Sequence, residues 1–150
     1  MGHLLAERLP VAVELFASAT RTTAVANSGG TASPHLGNAT RAIFLLDVTA
    51  TAGVAGDTLD VYVDVLGPDE ATWLNAVHFT QVAGNSAAIK HFAALDGSNT
   101  AATTFNVSTD CTAGVIKPYL WGVKYRGRYT LVDAGAHGQS VTFSLTGLFQ

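Results

Sequence analysis

The sequence predicts an all-β protein, an antiparallel β-sandwich or jelly-roll-like barrel of six to eight strands with long small-residue loops. Three observations predict it. Short segments alternate apolar and polar residues with the period of two of a strand that buries one face. Clusters of Gly, Asn, Asp and Ser separate those segments. No segment sustains the 3.6-residue apolar period of a long amphipathic helix, so a core must be buried by packing sheet on sheet.

Near the N-terminus, LAERLPVAVELF offers either a short helix broken at Pro10 or a strand over residues 11–17, and the strand is favoured. In RAIFLLDVT, Ala42, Phe44, Leu46 and Val48 face one way and Arg41, Asp47 and Thr49 the other. Ile43 and Leu45 make the second face partly apolar, which places this strand at the centre of a sheet or under cover on both sides. Leu59, Val61, Val63 and Val65 of TLDVYVDV alternate with Asp60, Tyr62 and Asp64, and Val61 and Val63 are expected in the core. AVHFTQV and AIKHFAAL flank Ala83-Gly84-Asn85-Ser86, which reads as a hairpin turn. Further on, Val123, Tyr125, Tyr129 and Leu131 oppose Lys124, Arg126, Arg128 and Thr130. After the turn AGAHGQ, Val141, Phe143 and Leu145 alternate with Thr142, Ser144 and Thr146. Residues 19–40 and 97–118 fit no clear strand, and loops of that length are uncommon in compact domains unless they act; contacts with neighbouring chains are expected of them.

The acidic residues around TLDVYVDVLGPDEATW test for chemistry. Asp60 and Asp64 share the outward parity, so they are expected to keep that face wet, and changing both to Asn should leave the fold nearly intact. At ~3.3 Å per residue they stand ~13 Å apart, too far for a glycosidase pair or for the ligands of one Ca²⁺. Asp69 and Glu70 follow Gly67-Pro68 and read as turn residues.

One domain spanning residues 1–150 accounts for the length, with residues 1–10 as an anchoring arm. Charged residues make up only 13% of the chain, about half the usual ~25%, and the mean hydropathy is +0.28. Such a surface suits burial against other protein. The net charge of −3 and the single basic cluster Lys124, Arg126 and Arg128 argue against nucleic acid as a partner. Cys111 is alone, which excludes an internal disulfide, and reads as a small core or boundary residue. His3, His35, His78, His91 and His137 show no metal-ligand spacing and read as surface or boundary residues; no metal and no cofactor is expected. Glu7, Arg8, Pro10 and Glu14 interrupt the apolar N-terminal run, so it does not read as a signal peptide, and no stretch is long enough for a membrane span. Asn38-Ala39-Thr40 and Asn106-Val107-Ser108 match the glycosylation triplet, a cheap match in a chain rich in Thr and Ser.

No nucleophile elbow, phosphate loop, dinucleotide fingerprint or metalloprotease motif occurs, and no enzyme activity is expected. Trp73, Tyr119, Trp121, Tyr125 and Tyr129 offer a sugar-stacking platform, the basis for an alternative as a carbohydrate-binding module. Val123 and Leu131 share the parity of the last four, which favours core over platform.

The ordered series LLDVTATAG, TLDVYVDV, a turn with Asp69 and Trp73, VHFTQV, then YLWGVKYRGRYTLVD and VTFSLTG resembles small β-sandwich virion proteins of tailed bacteriophages. The sequence departs from them at Gly67-Pro68-Asp69-Glu70-Ala71-Thr72, where they tend to carry Asp-Gly before the Trp. The resemblance implies a capsid decoration or cement subunit, made in the host cytoplasm and bound to the outer capsid surface of the virion. It also implies the major capsid protein as partner and self-association as a homotrimer, with a neck or tail component as a further alternative. Residues 1–10 and 19–40 are expected to anchor it, with Leu4, Leu5, Leu9 and Leu36 supplying apolar contacts unless they cover the chain's own core.

Overall fold

The computed structural model describes residues 9–37, 39–97, 110–117 and 120–150. Among them run ten strands: β1 (Val11–Arg21), β2 (Val25–Ala32), β3 (Arg41–Ala52), β4 (Thr58–Leu66), β5 (Trp73–His78), β6 (Val82–Ala83), β7 (Ile89–Asp96), β8 (Val115–Ile116), β9 (Tyr125–Val132) and β10 (Ser140–Phe149). One sheet has the order β1-β10-β3-β7, and the second β2-β9-β4-β5-β8 with β6 on β4. All pairings are antiparallel. Without the two-residue β6 and β8, eight strands remain, and they pair from the outside in: β1 with β10, β2 with β9, β3 with β7, β4 with β5. That is one long antiparallel ribbon folded over on itself, the order of a jelly roll. The all-β sandwich expected from the alternation is therefore the observed architecture.

Alternation dictates which side chains fill the space between the sheets. Phe44, Leu46 and Val48 of β3, Val61 and Val63 of β4 and Phe143 and Leu145 of β10 are all at most 1% exposed. Two aromatic groups occupy the ends of this core. Phe44, Tyr125 and Phe149 meet at centroid distances of 5.0–5.7 Å, and Phe16, Tyr129 and Phe143 meet nearly edge to face at 5.4–5.7 Å. The Arg21 guanidinium closes the second group, 3.9 Å from the Phe143 centroid, while donating to the carbonyl oxygens of Ala17, Ala19 and Phe143. Val11–Arg21 is thus a strand, as favoured, and runs four residues beyond position 17. β3 is central in its sheet, but its second face is uncovered, with Ile43 45% exposed.

Two expectations need correction. Residues 19–40 contain a strand, β2, despite having no large apolar alternation. Phe16 already fills the space beneath it: a Cβ added to Gly30 would lie 2.6 Å from the Phe16 ring, and one on Gly127 of the neighbouring β9 equally close. Small residues are required there, so the usual signal of a half-buried strand is missing. Irregular register between Val25 and Ser28 and between Gly29 and Ala32, with Asn27 at φ 55°, blurs the period further.

The second correction concerns residues 83–86. They do form a turn, Ser86 N–H donating to the Ala83 oxygen at 3.0 Å, but not a hairpin. β5 lies in the second sheet beside β4 and β7 in the first beside β3, so the chain crosses between layers here. Phe79 and Val82, both 3% exposed, are apolar because they plug the crossing. A period of two carries no information about which sheet a strand joins. His3, Asn38, Asn106, Ser108 and Tyr119 lie outside the described residues.

Candidate functional site

The outward side chains of β4, β5 and β9 form the densest polar group among the described residues. Register sets them side by side: Tyr62 opposite His78 and Arg128, Asp64 opposite Asn75 and Arg126. Asp60 and Asp64 do have the outward parity, yet they are 8% and 2% exposed, which overturns the expectation of a wet face. The reason is charge pairing across strands together with cover from residues 110–111.

Asp64 is the hub. Its Oδ2 accepts from Arg126 Nε and Arg128 Nε, each at 3.1 Å, and its Oδ1 from Arg128 Nη2 at 3.3 Å and Asn75 Nδ2 at 3.1 Å. Arg128 Nη2 reaches on to Asp110 Oδ1 at 2.7 Å. Burial alone would lower the Arg128 pKa, but its hydrogen bonds to Asp64 and Asp110, together with their charges, outweigh it and hold the guanidinium above its ordinary value. The same guanidinium lies 4.1 Å from the Tyr62 ring centroid, and that of Arg126 lies 4.5 Å from Trp73. The basic cluster read from the sequence is thereby divided, two of its three members being committed to an aspartate.

Further along β4 and β5, His78 Nε2 meets Asp60 Oδ1 at 2.8 Å and His78 Nδ1 meets the Cys111 carbonyl oxygen at 2.8 Å. Gln81 Nε2 donates to the other Asp60 oxygen at 2.9 Å. His78 is buried, not a surface or boundary residue as expected, because it stacks on Tyr62 at 4.1 Å and holds partners at both nitrogens. Burial, then the nearby Asp60 and Asp110 charges, push the Tyr62 phenol up. Asn75 ties the two halves together, accepting from Cys111 N–H at 2.8 Å through its side-chain oxygen. Cys111 is buried, as a small core or boundary residue should be, and burial pushes its thiol up.

This ribbon has the residue types of an acid–base or metal site but not the availability. Both His78 nitrogens and the Asp60 and Asp64 carboxylates are engaged with other protein groups. Among the described residues no three His, Cys, Asp or Glu side chains gather as a metal site would need. Asp57, wholly buried, likewise bonds backbone N–H groups of Val54 and Ala134 at 2.8 and 2.9 Å. The sequence did contain a signal: D-x-Y-x-D on one strand and R-x-R on another, both with outward parity.

Among the described residues the aromatics do not assemble a platform. Tyr125 is fully buried, Tyr129 and Trp121 pack against the core, and Trp73 lies under Arg126. Asp69 caps its turn, accepting from the Thr72 hydroxyl and from the Thr72 and Ala71 N–H groups, as turn residues do. Of the four leucines expected at a contact, Leu4 and Leu5 lie outside the described residues. Leu9 is 82% exposed, Leu36 packs against the core, and the two line one cleft of about 440 Å³ with Val11 and Phe149.

No protein-family model matches the sequence, and no curated protein matches it. A chain in the structure of infectious bursal disease virus, Gx strain, superposes with a TM-score of 0.46 at 10% identity, over 93% of this chain and 32% of that one. This chain therefore spans about a third of that chain's length.

Proposed function

We propose that this chain is a structural virion protein without enzymatic activity, a decoration subunit that binds the outer surface of a tailed-phage head and stabilises the shell. The observation that carries this reading is a division of labour between the two outer faces. Polar groups on the second sheet are closed on one another, whereas the first sheet leaves Ile43, Phe92 and Leu148 exposed, at 45%, 69% and 36%. A jelly roll of that kind offers area for adhesion, not groups for chemistry. The ordered strand resemblance noted in the sequence supports the phage assignment, and the partners are then the major capsid protein and further copies of this chain.

The test mixes purified protein with undecorated capsids and measures occupancy and the temperature at which shells open. Saturable binding with a raised opening temperature is expected. Protein that neither binds shells nor raises their heat resistance would overturn the proposal.

A further inference from the structure

The outer face of the β1-β10-β3-β7 sheet carries an apolar patch with a regular order of charge around it. β3 and β7 pair Arg41 with Asp96, Ile43 with Ala94, Leu45 with Phe92 and Asp47 with Lys90. These eight side chains share the outward parity. Ion pairs close both ends, Arg41–Asp96 at 3.4 Å and Lys90–Asp47 at 2.8 Å. Between them Phe92 stands 69% exposed, while beside Ala94 a hollow of about 210 Å³ is lined by Arg41, Ile43, Ala94, Asp96 and Leu148.

We propose that this face binds a second copy of itself about a two-fold axis running across the strands at the level of Phe44 and Ala93. The register makes the prediction specific. A two-fold at that level exchanges position 41 with 47, 43 with 45, 92 with 94 and 90 with 96. Arg41 then faces Asp47 of the second copy, and Lys90 faces its Asp96, so opposite charges meet at both ends. Each intrachain pair becomes half of a four-membered ring of alternating sign. Phe92 faces Ala94 of the second copy and enters the hollow beside it, and Ile43 faces Leu45. Large meets small and plus meets minus, the self-complementarity that an isologous contact requires. Two sheets packed face to face at ~10 Å, strands within ~30° of parallel, bring such side chains together.

This contact covers the same Ile43 and Phe92 that the proposed function gives to adhesion, so a second copy and a shell would compete for the face. It is tested without shells, on the full chain, by sedimentation equilibrium over a range of concentration, with circular dichroism to confirm that each variant is folded. Wild type should be a concentration-dependent dimer. Phe92→Lys, at a position exposed in the single chain, should weaken dimerisation about tenfold or more. Lys90→Glu and Asp96→Lys should each weaken it, and the double variant should recover it, because the two positions attract across the contact even though each intrachain pair then joins like charges. Wild type that is monomeric at every concentration, or trimeric, overturns the proposal. So does a folded Phe92→Lys variant that dimerises like wild type, or a double variant no tighter than the singles.

Discussion

Asp64→Asn separates the two accounts of the polar face. The substitution keeps the shape and removes one negative charge from between two guanidinium groups. Arg128, whose side chain is 11% exposed against 3% for Asp64, would be left with Asp110 as its carboxylate. Breaking a buried pair from one side costs about 3–5 kcal/mol. Arg126 is 33% exposed and can turn to water, so its share is about 0–1 kcal/mol. The expected loss is therefore about 3–5 kcal/mol, or roughly 6–20 °C in Tm at the ~2–4 °C per kcal/mol of a chain this size. Urea denaturation and calorimetry on wild type and variant measure it, with Arg126→Gln as a control that should lose about 1 kcal/mol or less. Alternation alone predicts a change within about 0.5 kcal/mol at Asp64. A loss that small would refute the closed network.

Val61→Asp places a carboxylate at a position 1% exposed, and its cost of several kcal/mol should leave the chain unfolded or aggregated; soluble variant with a cooperative transition would contradict the assignment of that face. Gly30→Ala forces a methyl group against the Phe16 ring and the Leu15 carbonyl oxygen and should cost about 1–3 kcal/mol by chemical denaturation; an unchanged midpoint would show that β2 does not lie over Phe16. Burial pushes Cys111, Tyr62 and Tyr125 up, so their protonated forms are favoured in the fold. Their contribution is complete below the unfolded values, ~8.5 for Cys and ~10 for Tyr, and is lost as pH rises through the folded ones. Tm should fall above about pH 9, with tyrosinate absorbance from Tyr62 and Tyr125 developing together with unfolding; full ionisation in folded protein would refute this.

How far the sequence could be read follows from what each signal encodes. The period of two identified β3, β4, β9 and β10 and their inward residues, because burial of one face is written directly into the order of side chains. Partnership between strands is not. The 83–86 turn looks the same whether the flanking strands join one sheet or two, and only the packing of Phe79 and Val82 decides it. β2 escaped because its inward position is held to glycine by a ring from another strand. The polar ribbon was half legible: the outward parity of Asp60, Asp64, Arg126 and Arg128 was plain, but that β4 and β9 are neighbours was not. Without that adjacency, outward reads as wet.

Pairing of the first strand with the tenth also fixes an order of events in time. β1 has β10 as its ladder partner, Val11 opposite Phe149, and β10 also separates β1 from β3. During synthesis β1 must therefore wait for about 120 further residues before its backbone can pair. At ~5–20 residues per second that is roughly 6–24 s, in which Phe16 has no settled neighbour. Closing so long a span makes folding slow, and the half-made sandwich is open to capture by chaperones or by other nascent chains. A chain stopped short of residue 140 would lack the strand that joins β1 to β3, so the first sheet is completed only in a late step.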